Sequence, residues 1–108
     1  MKFHSPMIIV TDIKKSKDFY INLLNQEIQQ DLESYIVFKG GFSIMSRDQW
    51  NNLTCSSSIQ RNNNHSFELY FEEDNLEDFV IEVEAYPDIK IFTPFEETQW
   101  GQRTFRFL

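Results

Sequence analysis

Apolar and polar positions recur along this chain in two rhythms, and their order predicts its elements. Met7-Ile8-Ile9-Val10 is an unbroken apolar run rich in β-branched residues, which predicts a strand buried on both faces. Thr11 and Asp12 follow, and either can cap a helix by accepting from its first free N–H groups. Ile13, Ser16, Phe19, Tyr20, Leu23 and Leu24 then fall at helical spacing, with Lys14, Lys15, Lys17, Asp18 and Asn22 on the other side. The rhythm stops at Asn25, a residue that tolerates the left-handed conformation of helix ends.

Beyond the helix the rhythm turns extended. Residues Glu27 to Gln30 and Tyr35 to Lys39 read as strands around the polar turn Asp31 to Ser34. Gly40-Gly41 predicts a two-residue hairpin loop, because both positions can take positive φ, and Phe42 to Ser46 returns as the next strand. From Gln49 to His65 the pattern is lost among Asn51-Asn52, Ser56-Ser57-Ser58 and Asn62-Asn63-Asn64, which predicts a loop or linker with Trp50, Leu53, Cys55 and Ile59 as its apolar anchors. Alternation resumes over Phe67 to Phe71. Asp74 or Asn75 then caps a second helix with the apolar stripe Leu76, Phe79, Val80 and Val83, and Asp74 with Glu77 has capping-box spacing. Pro87-Asp88 ends that helix, Ile89 to Thr93 reads as a strand stopped by Pro94, and Arg103 to Leu108 alternates again.

The predicted order is β-α-β-β-β, loop, β-α-β-β, an α+β domain in which Ile13 and Leu76 open equivalent strand-to-helix turns. One domain over residues 1–108 is expected, with a first module at about 1–47, a linker at about 48–65 and a second module at about 66–108.

Composition narrows the partners. The 108 residues are 41% hydrophobic and 16% aromatic, enough to fill one core and too few for two independent domains. A net charge of −7 argues against nucleic acid and against anionic membrane surfaces. No apolar stretch approaches a membrane span, and no secretory leader is visible. The single cysteine, Cys55, excludes an internal disulfide and fits a reducing cytoplasm, so a cytoplasmic protein is expected.

Three stretches in the right order resemble the glyoxalase/bleomycin-resistance/dioxygenase superfamily, the vicinal oxygen chelate fold. Val10 to Tyr20 (VTDIKKSKDFY) followed by Leu23-Leu24 is similar to that family's strand, Asp turn and S-x-x-F-Y helix. Glu68 to Phe79 (ELYFEEDNLEDF) and Trp100 to Phe107 (WGQRTFRF) supply the other two, while Gln49 to Ser66 is unmatched. The resemblance implies two βαβββ modules whose mixed sheets curl around a shared cleft, and a homodimer. Family members usually run on through a D-P-D-G-type turn into one more strand, and here nothing follows Leu108. A second module one strand short is therefore expected, its open edge covered by a second subunit unless the chain is truncated.

Metal-dependent members of that family take His, Gln or Glu ligands from the first and last strands of each module, which suits a divalent cation and a substrate's vicinal oxygens. Carried over by position, the first site falls on Ser5, with His4 beside it on the opposite strand face. The second falls at Met45 to Arg47, the third on Glu68, and the fourth lies past Leu108. Glu68, His4 and His65 are thus the remaining weak metal candidates; the histidines also read as surface or partly satisfied groups, and Glu68 as part of a solvated strand face. The acid pairs Glu72-Glu73-Asp74 and Glu96-Glu97 read as solvated charge runs. No Ser-His-Asp or Cys-His arrangement and no phosphate-binding Gly loop is visible, so no catalytic residue is assigned.

Met7 and Ile9 share the strand parity of Ser5, and Tyr70 that of Glu68. Together with Met45, Trp50, Trp100 and Phe107 they can line an apolar cleft with a few polar handles, or pack in a core or dimer interface. The expected function is metal-free, non-catalytic binding of a small molecule, of the sequestration or resistance type, with no cofactor required and a divalent metal possible. Two alternatives stand beside it: a metal-dependent lyase or dioxygenase whose site is completed by Glu68, a histidine and residues of a partner chain or of a missing C-terminus, and an interaction protein that uses its open edge strand and has no ligand. If the net negative charge is concentrated in the cleft, a cationic ligand is favoured.

Overall fold

The computed structural model describes residues 1–55, 69–97 and 103–107, with side chains at 1–55 and 69–91. The chain divides into two compact units, residues 1–68 and 69–108.

The first unit begins with β1 (Met7–Val10), which matches the apolar run residue for residue. Asp12 is the cap that forms: its Oδ1 accepts from Lys15 N–H at 3.1 Å and opens α1 (Ile13–Asp18). The helix then widens into a π-helical segment, Phe19–Leu23. Leu24 N–H bonds Phe19 O at 3.3 Å, one residue further than an ordinary α-helical closure, and Gln26 N–H reaches back two residues further than that closure to Tyr20 O at 2.9 Å. Asn25 takes φ 53°, the left-handed conformation its side chain tolerates.

Strands β2 (Ile28–Asp31), β3 (Tyr35–Phe38) and β4 (Phe42–Ser46) follow, and the sheet order is β1-β4-β3-β2. β1 runs parallel to β4, while the other pairs are antiparallel, so the sheet is mixed. Of Gly40 and Gly41 only the second takes positive φ (96°), and Phe38 pairs with Phe42 around the three residues Lys39-Gly40-Gly41, so the expected two-residue loop is corrected to three. β1 is an edge strand of this sheet, and all four of its residues are half-buried instead of buried on both faces.

The expected loop from Gln49 is also corrected over its first part. A helix, α2 (Arg47–Thr54), follows β4 directly. Ser46 Oγ accepts from Gln49 N–H at 3.2 Å, and Cys55 closes the helix in the left-handed region at φ 54°. The rest of the expected linker lies outside the described residues.

In the second unit, α3 (Leu76–Ala85) starts from Asn75, whose Oδ1 accepts from Asp78 N–H at 3.2 Å while its Nδ2 donates to Asp78 Oδ2 at 2.7 Å. The reciprocal cap thus sits one residue after the expected Asp74–Glu77 pair. Val83 is fully buried and Leu76, Phe79 and Val80 are half-buried, as the stripe predicts. Leu69 to Phe71 are not in a strand, which corrects the alternation reading there; residues 67 and 68 lie outside the described residues. β5 (Ile91–Glu97) runs through Pro94 and pairs antiparallel with β6 (Arg103–Phe107). The ladder shifts register between Thr93 and Glu96, which accommodates the missing proline N–H and explains why Pro94 does not end the strand.

The core of the first unit lies on one face of its sheet. Ile36, Phe38, Phe42 and Ile44 are buried there, and Tyr20 packs its ring 5.5 Å from Phe38 and 5.2 Å from Phe42. Burial pushes the Tyr20 phenol up from its ordinary pKa.

Candidate functional site

Strand pairing decides which side chains share the other face. Cross-strand partners point the same way, and neighbours along a strand point oppositely. Met7 pairs with Ser43 and Ser43 with Val37; Ile9 pairs with Met45 and Met45 with Tyr35. These six residues therefore form two rows across β1, β4 and β3. The intervening row, Ile8, Ile44 and Ile36, belongs to the helix-covered face.

The two faces differ in burial. Met7, Ile9, Tyr35 and Val37 are half-buried, whereas Ile36, Ile44 and Phe38 are at most 1% exposed. At the centre of the less buried face, Ser43 is only 1% exposed and Met45 only 7%. The result is an apolar array with a serine in its middle and a tyrosine at its side, and none of these six residues is a carboxylate. These six residues bring no negative charge to this face, and Glu68, the acid of the expected cleft, lies outside the described residues.

Of the expected cleft residues, the sheet brings together Met7, Ile9 and Met45. Trp50 is half-buried on α2, which packs on β4 and β1, so its expected loop position is corrected to a helix. Tyr70 is 76% exposed and lies outside any strand, which removes the strand parity that tied it to Glu68. Phe107 pairs with Ile91 through its backbone. Glu68, His65, Trp100 and the Phe107 side chain lie outside the described residues. Tyr35, Val37 and Ser43 were not expected; their own alternation gives each a face, but only the inter-strand register says which.

The positions that the family resemblance gives as metal ligands can be inspected in part. Ser5 lies two residues before Met7 and is half-buried; His4 is exposed. Met45 to Arg47 run from the end of β4 into α2. Among the described residues no three His, Cys, Asp or Glu side chains lie close enough to hold a metal ion together.

The inward side of α2 is polar. Arg47, Trp50 and Asn51, at i, i+3 and i+4, are half-buried while Asp48, Asn52 and Leu53 are exposed. Arg47 Nε and Asn51 Oδ1 are buried and have no hydrogen-bond partner among the described residues. Each such atom costs on the order of 1–3 kcal/mol when left unmet. Elsewhere the surface charges are ordinary. Lys17 Nζ meets Asp31 Oδ2 at 2.7 Å, and this hydrogen bond, with Glu33 N–H, holds the Asp31 carboxyl below its usual pKa. Cys55, Glu72, Glu73 and Asp74 are exposed.

Comparison with known proteins places this geometry. The glyoxalase-like domain profile matches residues 3–108. A crystal structure of a protein of unknown function from Agrobacterium tumefaciens str. C58 is 32% identical, with a TM-score of 0.83, covering 99% of this chain and 84% of that one. A glyoxalase/bleomycin resistance protein/dioxygenase from Nocardioides is 12% identical, with a TM-score of 0.70, covering 100% of this chain and 76% of that one. The genomically encoded fosfomycin resistance protein FosX of Listeria monocytogenes is 17% identical, with a TM-score of 0.66, covering 99% of this chain and 82% of that one. No match was found among the curated proteins. No helix among the described residues is long and apolar enough to cross a membrane. With a family match running from residue 3 to residue 108, the chain belongs to the glyoxalase-like domain family.

Proposed function

We propose that this protein binds a small molecule on the β1–β4–β3 face built from Met7, Ile9, Tyr35, Val37, Ser43 and Met45, and does so without metal and without catalysis. The observation that carries the reading is the register that gathers these side chains on the less buried face of the sheet. Apolar residues around a few polar groups are the usual lining of a small-molecule site. Thioether side chains such as Met7 and Met45 adapt to irregular ligands.

The non-catalytic part of the proposal rests on residue types. A serine hydroxyl at Ser5 is a weak ligand for a divalent cation, and Met45 to Arg47 offers a thioether, a hydroxyl and a cation where an imidazole or carboxylate is needed. The likeness to a protein named for fosfomycin resistance supports a sequestration or resistance role over a structural one.

Elemental analysis of the purified chain, with a thermal-shift screen against small apolar compounds with and without EDTA, tests the proposal. Ligand-induced stabilisation that ignores the chelator is expected, and it should vanish in a Val37→Asn variant that still folds. Stoichiometric divalent metal, with a lyase or dioxygenase activity that EDTA abolishes, would overturn it.

A further inference from the structure

The proposed binding face is closed at its centre. Ser43 is 1% exposed and Met45 7%, while Met7, Ile9, Tyr35 and Val37 around them are half-buried. A ligand that reaches Met45 therefore requires an element to move. The element joined to Met45 through the single residue Ser46 is α2, which packs on β4 and β1.

α2 is also the helix held least firmly. The first helix, with its π-helical extension, buries Tyr20 and Leu23, and α3 buries Val83, whereas no residue of α2 is fully buried. Its inward side closes two polar atoms off from solvent, Arg47 Nε and Asn51 Oδ1, and neither gains a hydrogen bond among the described residues. Docking thus costs the hydration of a guanidinium donor and of an amide oxygen, and undocking restores both. Within the helix the ends are well closed: Ser46 Oγ accepts from Gln49 N–H, and Cys55 N–H bonds Asn51 O. A helix that is sound in itself and poorly satisfied against its sheet belongs to the low-stability end of a fold, from which lids are drawn.

We propose that α2 is a gate. It leaves β1 and β4 as a unit under native conditions, while the sheet stays folded, and so opens the Met45 end of the face. This deepens the reading of the sheet face as a small-molecule site and rests on it for what enters.

The test needs no ligand. The full-length chain is pulsed with hydrogen peroxide, and sulfoxide at Met45 and at the exposed Met1 is read by peptide mass spectrometry. Met45 is expected to oxidise more slowly than Met1, at a rate that urea below the unfolding transition leaves unchanged, because a local opening exposes little surface. Asn51→Leu removes the unmet acceptor and should slow Met45 oxidation roughly tenfold or more. Asn52→Leu, on the exposed side of α2, gains only helix propensity and should slow it about twofold. Ser46→Ala removes the cap and should speed it about fivefold. Met1 should keep its rate in all three. Met45 oxidation that follows the urea unfolding curve overturns the gate, and so does equal slowing by Asn51→Leu and Asn52→Leu. If the variants behave as expected while no compound of the thermal-shift screen binds, the sheet-face reading falls and the gate stands. If compounds bind while Asn51→Leu leaves both Met45 oxidation and their association rates unchanged, the gate falls and the sheet-face reading stands.

Discussion

Replacing Phe38 and its neighbour Val37 in turn tests the assignment of the two sheet faces. Phe38 is 0% exposed, and its ring lies 4.8 Å from Phe42 and 5.5 Å from Tyr20. Truncating a buried Phe to Ala costs about 3–5 kcal/mol, through lost transfer energy, the cavity left behind and lost ring contacts. Val37 points to the opposite, half-buried face. Val37→Ala removes two methyl groups at about 0.8 kcal/mol each when fully buried, so about 0.8 kcal/mol in all at half burial. With a urea slope of about 1.5 kcal/mol/M, Phe38→Ala moves the midpoint down by about 2–3 M and Val37→Ala by about 0.5 M. Stability in a domain of this size is about 5–15 kcal/mol, so the first variant can be nearly unfolded. Phe38→Leu, at about 1.5 kcal/mol, then supplies the measurable point. Urea titration followed by far-UV circular dichroism reads all three. A one-residue slip in register would exchange the faces. Equal costs for Phe38→Ala and Val37→Ala, or a larger cost for the valine, would refute the assignment.

Three further outcomes are expected. Asp12→Ala removes the acceptor of the Lys15 N–H bond and should cost about 1 kcal/mol in urea unfolding, with Asp12→Asn recovering most of it. The folded-state pKa of Asp31 is depressed, first by its hydrogen bond to Lys17, so the stability it contributes is full above its unfolded pKa and is lost as pH falls through the folded value. In acid titrations monitored by unfolding midpoint, Lys17→Met should therefore flatten the acid-side decline, and high salt should shrink the difference between the two proteins. Gly41→Ala, forced to φ 96°, should cost about 1–2 kcal/mol by thermal or urea unfolding even though no atom lies within 4 Å of the added methyl.

Much of the first unit was legible in the sequence. β1 and β4 match their apolar runs because turn residues bound both, and Asn25 ends the first helix as its left-handed tolerance suggests. The grouping of Met7, Ile9 and Met45 was also foreseeable, since strand parity and the family resemblance agree on it. Tyr35, Val37 and Ser43 were hidden because register belongs to pairs of strands. α2 was missed because its inward side is Arg47, Trp50 and Asn51, which leaves almost no hydrophobic rhythm. Its one local mark was the spacing of Ser46 and Gln49, the same capping pattern read correctly in kind, one residue early, before α3. The π-helical turn at Phe19–Leu23 shifts the helix by a residue without changing the apolar spacing that predicts it. Pro94 misled because a proline in a strand is compatible with a bulge as well as with an end.

The central claim is that the β1–β4–β3 face binds a small molecule, and the methionines give it a direct reporter. Met7 and Met45 lie on that face, in adjacent rows, while Met1 is fully exposed at the chain start. In protein labelled at the methionine methyls and titrated with hits from the thermal-shift screen, Met7 and Met45 should shift together and saturate with one affinity, and Met1 should stay still. Hits that leave Met7 and Met45 in place, or that move Met1 equally, would contradict the account.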